Sequence, residues 1–191
     1  MMWKIIHKLV SKIINPENGL GRRLLLFISQ MTPLVNVELI VRTNNGLYTL
    51  LVFRDDQFYG PGWHLPGGII RYKEKVEIRV KKTLFSELNI LEKDIDYIKF
   101  LAPFEIIDRN REVRGHFISL LFIVKLKEIR QYIKYDHKAH YSNGDVSFHL
   151  KAPSDLIKEH YKYKKFIDKS DIDNLIGSDI IPSYDFYGKW K

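Results

Sequence analysis

Residues 62–90 constrain the fold more than any other part of the chain. They read GWHLPGGIIRYKEKVEIRVKKTLFSELNI, a strand-like run that ends at Gly67 and Gly68, followed by a helix over about residues 75–88. Apolar residues recur every four positions in that helix and share the face that packs on a core: Val76, Val80, Leu84 and Leu88. A strand, a glycine turn and an amphipathic helix in this order favour an α/β domain.

The flanking segments predict strands on both sides of this helix. Apolar and polar residues alternate over residues 34–41, and the Asn-Gly pair at residues 45–46 predicts a hairpin turn into a second strand over 47–54. Further strands are expected over residues 97–107, 116–127 and 145–150. Residues 55–66 are predicted to form a loop, and Ser154 is the expected N-cap of a later helix. The pattern indicates a mixed α/β domain.

Three segments are expected along the 191 residues. Residues 1–31 form a helical extension, residues 32–168 the α/β domain, and residues 169–191 a polar, lysine-rich tail. The first helix, over residues 1–15, is basic and amphipathic. Such a helix can lie on a membrane surface, but it more often packs on its own domain or on a partner subunit, which is the interpretation we favour.

Charge and composition narrow the classes of function. Lys and Arg number 31 against 23 Asp and Glu, a net charge of +8 that favours anionic partners such as phosphorylated small molecules. The absence of cysteine excludes disulfide scaffolds, thiolate catalysis and cysteine-ligated zinc. No apolar run approaches the roughly 20 residues that span a bilayer, and no nucleic-acid-binding signature is present. We therefore expect a cytoplasmic protein without a nucleic-acid partner.

The glycine turn offers oxygen ligands for a metal ion. Backbone carbonyls of Gly67 and Gly68 adjoin a helix that carries Glu87, with Thr83 four residues earlier on the same helical face. Hard oxygen donors of this kind suit Mg²⁺, which retains several waters and often bridges to substrate phosphates. A magnesium site at the turn is the first functional prediction.

These residues resemble the signature of the Nudix hydrolase family, G-x5-E-x7-R-E-U-x-E-E-x-G-U, where U is a bulky aliphatic residue. Laid on residues 68–90, the signature matches at Gly68, Glu74, Glu87 and both aliphatic positions. Four positions differ, where the family has Arg, Glu, Glu and Gly: Lys82, Thr83, Ser86 and Asn89. The resemblance implies a Nudix-type α/β/α sandwich with a mixed sheet, here with added N-terminal helices.

The chain looks most like one subgroup, the GDP-mannose mannosyl hydrolases, whose signature is also degenerate. Residues 32–41, the Asn-Gly turn and the run Trp63-His-Leu-Pro-Gly-Gly carry the likeness, which covers about residues 20–160. It implies a dimeric, Mg²⁺-dependent enzyme in which water attacks C1 of the sugar. The products are then the nucleoside diphosphate and the free sugar, rather than the two phosphates that typical family members release.

Residue roles follow from the resemblance. The expected metal-site residues are Gly67, through its carbonyl, Glu87 and Glu74, and in the wider family the residue at Glu74 also supports the glycine turn. Lys82 replaces an arginine that stabilises the diphosphate, so it keeps the charge and loses the bidentate fork.

Three further residues are expected to bind substrate. Arg54 matches an arginine that contacts the diphosphate, and Glu38 matches an aspartate on the first strand. Arg71 lies near the position at which the subgroup has an arginine, while the matching residue itself is Ile69.

The general base stays open between two histidines. The subgroup has a Gln-His pair before its last strand, and direct alignment puts Ser142 and Asn143 there. His137 and His140 lie a few residues upstream in the same loop, and histidine has the pKa that a base needs. The alternative to an enzyme is a Nudix-fold binding module without catalysis, which the altered signature also favours.

Overall fold

The computed structural model describes residues 15–128 and 140–168. The helices are α1 (Arg22–Ile28), α2 (Val76–Leu88) and α3 (Lys164–Ile167), with 3₁₀ turns at Pro16–Asn18, Glu92–Asp94 and Lys158–Tyr163. The strands are β1 (Leu34–Arg42), β2 (Thr49–Arg54), β3 (Gly62–His64), β4 (Gly67–Ile69), β5 (Ile95–Ile107), β6 (His116–Leu126) and β7 (Val146–His149).

The strands form one mixed sheet with β1 in its middle. The main path is β3-β2-β1-β6-β5, with β7 paired to β2. One edge of β1 runs parallel to β6 along its whole length, from Leu34 opposite Phe117 to Arg42 opposite Lys125. The other edge is shared, because residues 36–38 pair with β4 and residues 41–42 pair with β2. The glycine turn therefore lies where two strands diverge from the same edge of β1.

Apolar layers on both faces of the sheet make a three-layer sandwich. On one face, α2 packs Val80, Leu84 and Leu88 against alternate residues of β1, including Val37 and Leu39. On the other face, the C-terminal turns contribute a second cluster: Leu156, Tyr163, Phe166 and Ile167. The expected α/β/α sandwich is confirmed.

The element bounds agree with the predictions except in two places. The segment expected to be a loop over residues 55–66 contains the short strand β3, paired with β2. Ser154 is not an N-cap, because it lies in a separate turn closed by a hydrogen bond from the Leu156 N–H to the Pro153 carbonyl, and the 3₁₀ turn begins only after Ile157. The expected helix over residues 1–15, His137 and the tail from residue 169 lie outside the described residues. Across residues 15–128 and 140–168, no helix reaches the length and apolarity needed to cross a bilayer.

Helix α2 ends at Asn89, where the family signature has glycine. Asn89 has φ 52° and ψ 31°, the left-handed conformation, and its N–H bonds back to the last turn of the helix. Asparagine is the residue that most readily replaces glycine at this position. This departure from the signature therefore preserves the helix end.

Candidate active site

Strand β4 holds the glycine turn against β1 in a defined register. The Leu39 N–H donates to the Pro66 carbonyl and the Ile70 N–H donates to the Val35 carbonyl, each at 2.9 Å. Alternate residues of an antiparallel pair bond to the partner strand, so Gly67, opposite Glu38, directs its own N–H and C=O away from β1. The Gly67 carbonyl is thereby available on the side of the turn that faces away from the sheet centre.

Both glycines are required by close approach of other side chains. A Cβ on Gly67 would lie 2.7 Å from Glu38 Oε2, and a Cβ on Gly68 would lie 2.6 Å from Thr83 Oγ1. Glu38 belongs to β1 and Thr83 to α2, so the turn is clamped between the sheet and the helix. The predicted placement of Thr83 and Glu87 on the helical face beside the glycines is confirmed for Thr83 by this contact.

Replacing Gly68 with alanine is expected to destabilise the protein by about 1–3 kcal/mol, the range for overpacking a close-packed site. The new Cβ would collide with the buried Thr83 hydroxyl, which cannot move freely in its helix. Urea unfolding measures the loss. Gly21→Ala is the matched control, because a Cβ there meets no atom within 4 Å. Adding Thr83→Ala to Gly68→Ala should recover part of the loss, and failure to recover any would contradict the assigned clash.

Glu38 is a buried carboxylate at the base of the site. The Asn36 Nδ2 donates to Glu38 Oε1 at 2.7 Å, and Asn36 in turn accepts a hydrogen bond from the Ser119 hydroxyl at 2.7 Å. Glu38 Oε2 is buried and has no hydrogen-bond partner among the described residues. Burial raises the pKa of Glu38 well above its usual value, and the negative charge of Glu87 raises it further.

His160 lies beside the unbonded oxygen of Glu38. The Leu65 N–H donates to His160 Nδ1 at 2.9 Å, and His160 Nε2 lies 3.7 Å from Glu38 Oε2. A nitrogen that accepts a hydrogen bond carries no proton, so the neutral ring has its proton on Nε2, toward Glu38. Burial lowers the pKa of His160 well below its usual value, and the nearby His64 and Arg54 lower it further. Burial therefore favours the neutral ring, whose Nε2 faces Glu38 Oε2 at a distance too long for a hydrogen bond.

Glu87 is the second carboxylate near the turn. Burial raises its pKa to about 7, while the charge of Arg54 and a hydrogen bond from the Gly67 backbone amide act in the opposite direction. Glu87 Oε2 is also buried without a hydrogen-bond partner in the part of the chain that the structure describes. The negative charge of Glu87 raises the pKa of the buried Glu38 carboxyl, and a cation bound beside the two carboxylates would relieve this repulsion.

A divalent cation fits these residues. The donors are two carboxylate oxygens without hydrogen-bond partners, on Glu38 and Glu87, and the Gly67 carbonyl that points away from β1. Residues 15–128 and 140–168 contain no group of three His, Cys, Asp or Glu side chains with metal-binding geometry. A site with so few protein ligands suits Mg²⁺, which keeps several waters, better than it suits zinc.

Glu74 is occupied by cations of the protein itself. Its Oε2 lies 2.6 Å from Arg79 Nη2 and accepts a hydrogen bond from the Arg71 N–H at 3.0 Å, while its Oε1 accepts a hydrogen bond from Lys82 Nζ at 3.0 Å. Although burial opposes ionisation, these hydrogen bonds and the Arg79 charge lower the pKa of Glu74 overall. The structure thus brings Glu74 and Lys82 together as an ion pair that ties the turn to α2.

A cavity of about 730 Å³ opens onto the turn. Of the predicted site residues, Glu38, Arg54, Gly67 and Arg71 line it. Its other walls come from α1 and the preceding turn, and from the segment around Glu159 and His160. Glu74, Lys82, Glu87 and His140 are not among the lining residues, and His140 is exposed. His137 lies outside the described residues, so the predicted histidine base stays a prediction.

Three residues of the site were not singled out from the sequence: Arg79, Arg114 and His160. Arg79 is on α2 within the signature, and its spacing of five residues from Glu74 was the available signal. His160 is separated from Leu65 by 95 residues, so no local pattern connects the two. Arg114 lies in the loop between β5 and β6, and no sequence motif surrounds it.

Acid is expected to destabilise the protein chiefly below about pH 4.5. Burial, together with the Arg54 charge, lowers the pKa of His64 from 6.5 to about 3, and His160 is lowered as well. In this window the unfolded histidines bind protons that the folded ones do not, so stability falls as pH falls. Glu38 and Glu87 oppose this loss of stability above pH 4.5, because their raised pKa values let the folded protein bind protons there that the unfolded chain does not bind. Below pH 4.5, the ordinary pKa of glutamate, the unfolded chain binds these protons as well, and the opposition ends.

Urea unfolding at several pH values between 7 and 3 measures this dependence. The slope below pH 4.5 should reach roughly 1.4 kcal/mol per pH unit for each histidine. His64→Gln should remove one histidine's share of the slope. A variant that keeps the whole slope would show that His64 is not the group responsible.

Comparison with solved structures finds this fold in proteins of low sequence identity. The Nudix domain of Shewanella oneidensis NrtR, solved with ADP ribose, has a TM-score of 0.51 at 20% identity, over 75% of this chain and 89% of that one. The MutT Nudix hydrolase from Burkholderia pseudomallei has a TM-score of 0.50 at 18% identity, over 73% of this chain and 98% of that one. No protein-family model and no curated protein sequence matches the chain. The chain has the Nudix fold.

Proposed function

We propose that this chain is a Mg²⁺-dependent hydrolase of the Nudix family that acts on a nucleoside diphosphate sugar. The observation that carries the proposal is the pair of buried carboxylates, Glu38 and Glu87, each with an oxygen that lacks a hydrogen-bond partner among the described residues, beside the glycine turn. Arg54 is close enough to lower the pKa of both carboxylates and lines the adjoining cavity. Carboxylates for a cation and an arginine for phosphate are the groups that this chemistry needs.

In the proposed enzyme, Glu87, Glu38 and the Gly67 carbonyl hold the cation, and Glu74 positions the turn through Arg79 and Lys82. When bound, Mg²⁺ neutralises the charge of the departing diphosphate. Arg54 binds the diphosphate from the cavity side, and Arg71 adds positive charge to the cavity lining, where its guanidinium approaches Gly19. His160 lies beside the buried Glu38 oxygen, with its Nε2 3.7 Å away.

The substrate class rests on the size and charge of the cavity. A volume of about 730 Å³ lies in the range of small-molecule sites, and arginines on its walls favour a diphosphate. The Nudix domain of Shewanella oneidensis NrtR binds ADP ribose, which is a nucleoside diphosphate sugar. Within this class we propose a GDP-mannose-like substrate, following the resemblance to the mannosyl hydrolases.

We propose attack at carbon rather than phosphorus. The oxygen of water bonds to C1 of the sugar, the bond from C1 to the diphosphate oxygen breaks, and the diphosphate leaves with the electron pair. A base takes the proton of the attacking water, and His137 and His140 remain the residues proposed for it. Thr83 and Ser86 occupy positions at which attack at phosphorus commonly uses carboxylates, so a single cation and a good leaving group suffice here.

A binding module without turnover is the second candidate function. The specific observation in its favour is that Glu74, which was expected at the metal site, is paired with Arg79 and Lys82. Such a module would bind the nucleotide in the same cavity and release no product. It differs from the enzyme in one measurable property, which is turnover.

Product analysis with purified protein, Mg²⁺ and a panel of nucleotide sugars led by GDP-mannose tests the proposal. In oxygen-18 water, we expect the nucleoside diphosphate without label and the free sugar with the label. A nucleoside monophosphate with a sugar phosphate would replace attack at carbon with attack at phosphorus. Binding without any product would leave the binding module as the function and refute the hydrolase.

A further inference from the structure

Arg114, in the loop between β5 and β6, is held in the cavity by aromatic rings. Its guanidinium carbon lies 5.0 Å from the ring centre of Phe58, 5.4 Å from that of Tyr59 and 5.8 Å from that of Phe117. Rings at these distances attract a cation by their negative faces. The side chain also lines the cavity that holds Glu38. Arg114 is therefore directed inward instead of extending into solvent.

The backbone of Arg114 adopts a conformation that arginine rarely takes. Its φ is 53°, in the left-handed region that glycine adopts freely and a residue with a Cβ rarely takes. The Arg114 N–H donates to the Ser29 hydroxyl at 3.0 Å, which ties the loop to the segment after α1. Strain that is retained at a cavity wall is an indication of function, because glycine or asparagine would fit there at lower cost.

The guanidinium of Arg114 retains unused donors. Its Nε is buried and has no hydrogen-bond partner among the described residues, and none of their carboxylates lies within ion-pair distance of it. Arg111, three residues earlier, is fully engaged, since it pairs with Asp108 at 3.1 Å and with Glu159 at 2.7 Å. Arg111 thus serves the structure of the loop, and Arg114 has donors left for a ligand.

Two further arginines approach the same aromatic ring, and the nearer is Arg111, whose guanidinium carbon lies 4.1 Å from the ring centre of Tyr59. The Arg54 guanidinium carbon lies 5.4 Å from the centre of Tyr59, the same distance as that of Arg114. Arg54 has one exposed partner, Asp56, at 3.5 Å. Glu159 also lines the cavity, but its carboxylate is committed to Arg111. Among the arginines around Tyr59, Arg114 is therefore the one without a carboxylate partner among the described residues.

We propose that Arg114 and Arg54, arranged about Tyr59, form an anion subsite that binds a phosphate group of the ligand. This inference deepens the proposed function and rests on it, because it names a residue that selects phosphorylated ligands for the same cavity. Planar guanidinium groups bind phosphate oxygens through paired hydrogen bonds, and a partly buried site strengthens them. The subsite lies on the wall formed by β2 and the β5–β6 loop.

Calorimetric titration of the full chain with inorganic pyrophosphate and with GDP, each in the presence of Mg²⁺, tests the subsite. Arg114→Gln is expected to weaken binding of both probes by about tenfold or more, the usual effect of losing a charge-assisted hydrogen bond. Arg109→Gln is the matched control, since it removes the same charge from an exposed position in the same loop. We expect that control to bind both probes as the wild type does.

A second variant separates ligand binding from folding. Arg114→Gly removes the side chain and the left-handed strain together, so the free protein should keep its melting temperature within a few degrees while affinity for pyrophosphate falls. A normal affinity in either Arg114 variant, or no pyrophosphate or GDP binding by the wild type, would overturn the subsite. Loss of affinity without any turnover by the wild type would sustain the subsite and refute the hydrolase. Turnover with an unchanged KM in Arg114→Gln would sustain the hydrolase and overturn the subsite.

Discussion

Replacing Glu87 with glutamine is expected to lower turnover of the nucleotide sugar by about 100-fold or more, the effect commonly seen when a group that stabilises transition-state charge is lost. Glutamine has the shape of glutamate, so the change removes a negative charge without leaving a cavity. That charge attracts a cation to the glycine turn, because Glu87 is buried and one of its carboxylate oxygens has no hydrogen-bond partner among the described residues. The initial rate of product formation at saturating Mg²⁺ measures the effect.

The same variant makes a second, independent prediction. The raised pKa of Glu87, about 7, means that its ionisation above pH 7 opposes folding. Without Mg²⁺, Glu87→Gln should therefore be more stable than the wild type at pH 8, and about equally stable at pH 5. Glu77→Gln is the matched control on the same helix, where Glu77 pairs with Lys81 at the surface. Wild-type turnover in Glu87→Gln, or an equal loss in Glu77→Gln, would remove Glu87 from the proposed mechanism.

Replacing Leu84 with alanine is expected to cost about 2–5 kcal/mol of stability, the range for truncating a fully buried leucine. Leu84 is 0% exposed and lies in the cluster in which α2 packs on β1. The loss combines the transfer of three carbons with the cavity that remains between helix and sheet. Urea unfolding measures it, with the m-value as a check that the unfolded state is unchanged.

The neighbouring residue supplies the control for Leu84. Phe85 is on the same helix and is 57% exposed, so Phe85→Ala removes more apolar surface from a position that buries less. Its cost should stay below about 1 kcal/mol, as for most surface substitutions. Similar losses for the two variants would mean that α2 does not pack through the face that the structure gives it.

Local pattern was enough to predict most of the sheet and α2. The four-residue spacing from Val76 to Leu88 marks the buried face of α2. Strand β1 is buried on both faces apart from Val35, and its apolar residues were enough to predict a strand. Strand β3 was missed because Gly and Pro on either side resemble a loop, and only pairing with β2 reveals it. The Ser154 N-cap was wrong for a similar reason, since Leu156, just after the turn that contains Ser154, bridges to Trp63 and delays the helical turn until after Ile157.

The sequence predicted mainly those residues of the candidate site that lie within one short segment of the chain. Gly67, Glu74 and Glu87 belong to one signature, so sequence distance limits where they can lie. Glu38 came from a resemblance in β1, and the structure places it against Gly67. His160 and Arg114 reach the same cavity from distant segments, and their roles depend on tertiary contacts that no spacing in the sequence encodes.

The long-range assembly around β1 also has a consequence for the order of folding. β1 pairs along its whole length with β6, and Leu65 bonds to His160 across 95 residues, so the groups around Glu38 come from nearly the full span of the described chain. Contacts of such separation form late and slowly, because each closes a long loop of unfolded chain. We expect Glu38 to stay hydrated until the segment Lys158–Tyr163 has docked, so that this carboxylate becomes buried late in folding.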